Sequence, residues 1–129
     1  MRSKAEFRAL RETAGITQQA LADRLGVKIL SAQRWERPTY QQQAPQAAWE
    51  LLDSLVRAQA RAVSDCLQEA KSGEVTQLEY WTSGAVYDDL RRDGEPETWT
   101  EANATQRAKA QALRMLGYPF EWYDGAESE

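Results

Sequence analysis

Gly15, Gly26 and Pro38 cut the first forty residues into three short segments, and no long element can cross any of these positions. Glycine takes up the left-handed conformation that ends helices. Proline lacks an N–H and disfavours helix in the residue before it. Lys4 to Thr13 places Phe7, Leu10 and Ala14 on one stripe at helical spacing, which predicts a first helix closed by Gly15. Thr17 is a fitting N-cap for a second helix, Gln18 to Leu25, with Ala20, Leu21 and Leu25 inward and Gly26 at its end. Val27 enters the core from the turn, and a third helix runs from about Lys28 to Glu36, stopped by Pro38.

Beyond a polar, glutamine-rich connector, Thr39 to Ala44, the pattern lengthens. Pro45 suits the first turn of a helix that runs to about Lys71 and ends at Ser72-Gly73. Trp49, Leu52, Val56, Val63, Cys66 and Ala70 form one stripe on it, and Leu51, Leu55, Ala58 and Ala62 a second. An apolar arc this wide requires two neighbours. Val75 to Trp81 is β-branched and aromatic and predicts a strand. A short helix over Gly84 to Arg91 and a loop, Arg92 to Glu97, follow. Thr98 with Glu101 three residues on has the form of a capping box for a helix ending at Leu116-Gly117. Tyr118 to Tyr123 predicts a last strand before the tail, Gly125 to Glu129. The two strands are expected to pair. Two strands alone are marginal in water, so they need the long helix beneath them or a second subunit.

Charge is unevenly divided. The 129-residue chain has a net charge of −4, yet residues 1–44 carry eight bases against four acids and the remainder eight against sixteen. A basic half beside an acidic half points to nucleic-acid contact by the basic one. The chain has no histidine, which removes the usual general base, triad partner and zinc ligand together. The single cysteine, Cys66, allows neither an internal disulfide nor a multi-thiolate metal site and reads as a small hydrophobe. Neither an enzyme nor a cofactor is expected. No apolar run approaches the roughly 20 residues that span a bilayer. Met1-Arg2-Ser3-Lys4 leads straight into charged sequence, so a cytoplasmic protein without a membrane role is expected.

Gly15 through Val27, continued by Ser31-Ala32-Gln33-Arg34-Trp35-Glu36, closely resembles the helix-turn-helix of Cro/C1-type regulators. Ala20 is small where the two helices of such a motif cross, and Val27, Ala32 and Trp35 pack inward. The resemblance implies that Gln18 grips a phosphate and braces the third helix. It implies that Lys28, Ile29, Leu30 and Ser31 meet base edges, that Gln33 and Arg34 lie further along the same helix, and that Arg37 suits a phosphate. Ile29 and Leu30 depart from the commoner polar pattern. They cannot read hydrogen bonds but can touch thymine methyl groups, which favours an A·T-containing half-site, whereas Arg34 is the candidate for bidentate contact to guanine. The competing readings are that Arg34 is simply solvated or pairs with Glu12 or Asp23, and that Ile29 and Leu30 turn into the core or an interface. Glu36 is expected to pair with an arginine.

Leu78-Glu79-Tyr80-Trp81, Tyr87-Asp88-Asp89-Leu90 and Gly117-Tyr118-Pro119-Phe120-Glu121-Trp122 look like the dimerisation half of anti-CRISPR-associated repressors. The expected fold is therefore mainly α: a helix-turn-helix bundle (1–44), a long connecting helix (45–73) and a small α+β dimerisation unit with two short strands (74–129). The expected function is a sequence-specific transcriptional regulator, an autoregulatory repressor that binds double-stranded DNA at an inverted repeat as a homodimer. The alternative is an antitoxin-like module whose acidic, aromatic C-terminal half holds a protein partner. An RNA-binding regulator using the same basic face is the third reading.

Overall fold

The computed structural model describes residues 2–84, 87 and 97–123. Among them are five helices, α1 (Lys4–Ala14), α2 (Gln18–Leu25), α3 (Ile29–Glu36), α4 (Gln46–Ala70) and α5 (Trp99–Leu116), and two strands, β1 (Thr76–Glu79) and β2 (Phe120–Tyr123). The protein is thus mainly helical with one small sheet. Of the helix expected at Gly84 to Arg91 only Gly84 and Tyr87, both helical, are described; the rest of it, most of the loop after it and the tail lie outside the described residues. None of the described helices is long and apolar enough to cross a membrane. The chain forms two compact units, Met1–Arg57 and Ala58–Glu129, and the division falls inside α4.

In the first unit, local signals at the helix ends account for the elements. The Ser3 and Thr17 side chains accept from the N–H groups of Glu6 and Ala20 and so begin α1 and α2. Gly26 ends α2 at φ 69°, in the left-handed region, and releases Val27 into the turn. The core comprises Phe7, Ala14, Ile16, Leu21, Ala22, Ala32, Trp35, Ala48 and Leu52. Phe7 is its centre: its ring meets Trp49 edge-on at 4.9 Å and Trp35 at 6.0 Å. Such pairs contribute about 0.5–1.5 kcal/mol beyond area burial. Outside the core, the Arg2 guanidinium donates to both carboxylate oxygens of Asp53, at 2.8 and 3.0 Å, and lies 4.2 Å over the Trp49 ring. The segment before α1 is thereby clipped to α4.

In the second unit, β1 and β2 pair in parallel, Thr76 with Phe120 through Glu79 with Tyr123. The expected pairing is present. Parallel neighbours need a crossover connection, and α5 lies within it. The capping box at the start of α5 is formed: the Thr98 side chain accepts from the Glu101 N–H while Glu101 accepts from the Thr98 N–H. Cys66, Ala70, Leu78, Ala110 and Leu113 form the core, with Leu67, Tyr118 and Phe120 at its margin. Burial pushes the Cys66 thiol above its ordinary pKa, which keeps it a neutral apolar group. The Asn103 amide is buried and used at both ends, its oxygen accepting from the Trp81 N–H and its nitrogen donating to the Trp81 carbonyl, each at 2.8 Å. It extends the backbone hydrogen bonding of the chain two residues past the end of β1.

Two consequences can be measured. Asn103→Ala leaves the Trp81 peptide without partners and should cost about 1–3 kcal/mol in urea denaturation; a change near zero would show that water replaces the amide. The hydrogen bond from Arg2 holds the Asp53 carboxyl below its ordinary pKa of 3.8. A carboxylate depressed in the folded state stabilises above its unfolded pKa and loses that contribution as pH falls through the folded value. Asp53→Asn should therefore be less stable than the parent protein at pH 7, and the difference should fade as pH falls below 3.8. A difference that does not vary with pH would contradict this.

Candidate nucleic-acid interface

α3 follows the turn at Gly26, with Lys28 as its N-cap in extended conformation. The Lys28 side chain makes no capping bond and is left to solvent. Along the helix, Ala32, Trp35 and Glu36 are buried and Ile29 packs against the core at their side. Leu30 is 48% exposed. Arg34, one turn further, and Arg37, just past the helix end, share its side. Ser31 and Gln33 are half-buried on the flanks.

Two polar anchors fix the orientation of this helix. The first is centred on Glu36, whose side chain is only 4% exposed. Arg11 of α1 donates to both of its oxygens, through Nε to Oε2 and through Nη2 to Oε1 at 3.1 Å, and through Nη1 to the Ile16 carbonyl at 2.9 Å. Gln18 Nε2 of α2 adds a bond to Glu36 Oε1 at 3.1 Å. One guanidinium and one amide therefore join α1, the turn after it, α2 and the end of α3. The second anchor is Lys4. Its ammonium donates to the Arg34 carbonyl at 2.8 Å, the Trp35 carbonyl at 3.4 Å and the Gln42 carbonyl. A cation among the last carbonyls of a helix satisfies groups left without intrahelical partners and opposes the negative end of the dipole.

The positions of the expected site residues are then plain. Leu30, Arg34 and Arg37, spaced four and three apart, share the side away from Ala32 and Glu36, with Arg34 half-buried and Arg37 exposed, and Lys28 is exposed at the N-terminal end of the helix. Ile29 is partly buried and packs against the core: Ile29, Ala32 and Glu36 are spaced three and four apart, so Ile29 follows the competing reading and Leu30 does not. Gln18 braces α3 through Glu36 and has its amide nitrogen turned inward. The ion pair expected for Glu36 is the one with Arg11. Arg34 pairs with neither Glu12 nor Asp23. Glu12 is held by Arg8 at 3.1 Å and Asp23 by Gln19 at 2.8 Å. Among the described residues, Lys28, Arg34 and Arg37 have no carboxylate partner.

Two participants escaped the sequence reading. Tyr40, counted as connector, lies beneath Arg34, whose guanidinium carbon is 5.2 Å from the ring centroid. The Pro38-Thr39 pair is a turn signal that could have brought it there. Lys4 gave no signal, since its acceptors are backbone carbonyls some thirty residues away.

No family model matches the chain, and no curated protein is significantly similar to it. The geometry stands on its own. Breaking the buried pair tests what holds α3: Glu36→Ala strands a desolvated guanidinium and should cost about 3–5 kcal/mol, most of it recovered in Arg11→Met/Glu36→Leu. A loss of under about 1 kcal/mol for the single variant would show that packing alone fixes the helix.

Proposed function

We propose that the chain is a sequence-specific DNA-binding transcriptional regulator, an autoregulatory repressor that works in the cytoplasm as a homodimer on an inverted repeat. In this reading α2, the Gly26 turn and α3 are a helix-turn-helix, and its role is binding rather than catalysis. The observation that carries the proposal is the set of cations along α3, Lys28 exposed at its start, Arg34 on its outer side and Arg37 just past its end, without acidic partners among the described residues, on a helix anchored at its far end by Arg11 and Lys4. Cations left uncompensated on a braced helix suit a polyanion, and an α-helix fits a major groove about 12 Å wide.

Each residue then takes a role. Lys28 and Arg37 flank the helix and contact phosphates, and Gln18 acts chiefly as the brace. Leu30 lies against a thymine methyl group, Arg34 reads guanine, and Ser31 and Gln33 border the contact. Ile29 supports them from the core. The acidic remainder of the chain is repelled by phosphate and faces away from the duplex. Two copies set their third helices in successive major grooves, about 34 Å apart, and occlude polymerase.

A protein partner for the second unit is favoured by its exposed Met115, Leu116, Trp122 and Tyr123. A second copy is the partner chosen here. An antitoxin-like role, with a different chain on that surface, is the alternative, and co-purification of a second polypeptide would distinguish it.

Binding of the purified protein to its own upstream DNA, across a salt series and beside an unrelated fragment, tests the proposal. Preferential, salt-sensitive binding is expected, and equal affinity for the two fragments would refute sequence specificity. Lys28→Ala and Arg37→Ala should each weaken binding to every duplex and reduce the salt slope by about 1. An unchanged slope in both would remove their phosphate contacts.

A further inference from the structure

Arg34 is unusual in what its side chain lacks. It makes no ion pair and no hydrogen bond among the described residues, and its Nε is enclosed with no acceptor. An enclosed donor without a partner is costly and rare enough to require an explanation. Nε alone of its three nitrogens is in this condition. What covers the guanidinium is the ring of Tyr40, 5.2 Å from its carbon. Arginine stacks on aromatic faces readily because its planar cation is delocalised and weakly hydrated.

Tyr40 is itself held from both sides. Its N–H donates to the Arg37 carbonyl at 3.2 Å, closing a turn whose second residue is Pro38, a position that proline pre-sets. Two residues on, the Gln42 carbonyl accepts from the Lys4 ammonium, which also binds the carbonyl of Arg34. The connector is thus tied to the same helix end whose side chain it supports. The Tyr40 hydroxyl makes no hydrogen bond among the described residues, so the ring face is the part in use.

We infer that Tyr40 is a positioning residue that holds the Arg34 guanidinium ready for guanine, an inference that rests on the DNA-reading role proposed above. An unsupported arginine has many rotamers, and most of that freedom is lost when its fork meets a base. Stacking on a fixed ring removes part of it beforehand. The enclosed Nε also sets the mode of reading. Of the donor pairs in a guanidinium, the one left accessible is the two terminal nitrogens, so the fork approaches the O6 and N7 of guanine end-on. Lysine, a compact charge on a flexible stem, has no planar fork for the ring to hold.

Selection of binding sites from a randomised duplex library, followed by competition with single-base variants of the selected site, tests the inference. The full chain should select a half-site with guanine at one position and Arg34→Lys should lose that guanine. Tyr40→Phe should keep the discrimination. Tyr40→Ala should reduce it by about fivefold at that position alone, with the salt slope unchanged. Tyr40→Leu, which retains bulk without a π face, should behave as Tyr40→Ala and carries the comparison if the alanine variant does not fold. A Tyr40→Leu variant with parental guanine discrimination would overturn the positioning role while leaving DNA reading intact, as would a Tyr40→Phe variant as impaired as Tyr40→Leu. A parent chain that selects no sequence would remove both the DNA-reading role and this inference.

Discussion

The bidentate contact between Arg11 and Glu36 is the constraint on which the first unit turns. Two opposite charges withdrawn from water are costly, and their attraction repays that cost only when the geometry is good and the remaining donors are satisfied. Here the third donor group of Arg11 reaches the Ile16 carbonyl and the Gln18 amide adds to the carboxylate. Rolling α3 about its axis, or sliding it along α2, would separate two charges that are largely shielded from solvent. An apolar contact would tolerate such movement far better, since burial is non-directional. The pair therefore contributes less to stability than to defining which residues of α3 face outward.

A helix of eight residues is too short to hold its place by propensity. Its inward stripe of Ile29, Ala32 and Trp35 supplies cohesion, its last carbonyls are taken up by Lys4, and its carboxylate is locked by Arg11. Each device comes from a different part of the chain. Together they leave the outward side chains free to vary in chemistry without disturbing the fold. Leu30 is an instance, a large apolar residue in solvent on an otherwise polar face.

Much of this was legible in the sequence because the signals were local. Gly15 and Gly26 end helices, Thr17 begins one, and Thr98 with Glu101 begins another, and each acts within four residues of itself. The long helix was legible from its periodicity. What the sequence left open depends on contacts between distant segments. With apolar residues at 29, 30, 32 and 35, nearly every side of α3 has a claim to the core, and contacts from distant segments, Arg11 to Glu36 and Lys4 to the last carbonyls, accompany the choice of Ile29 over Leu30. The relative direction of the two strands was likewise open, since it depends on how the intervening chain crosses between them. Tyr40 reached Arg34 through a turn whose residues were legible but whose exit direction was not.

The parallel sheet of the second unit imposes an order on synthesis. Gln77 and its partner Glu121 are 44 positions apart, so β1 emerges from a ribosome long before anything exists for it to pair with. Its N–H and C=O groups remain bound to water until the crossover helix has formed and the chain has been extended past Tyr123. The core of the first unit, by contrast, draws only on residues up to Val56 and can close while the rest is still being made. A growing chain that stalls midway would thus already present the α3 face, with the sheet still unformed.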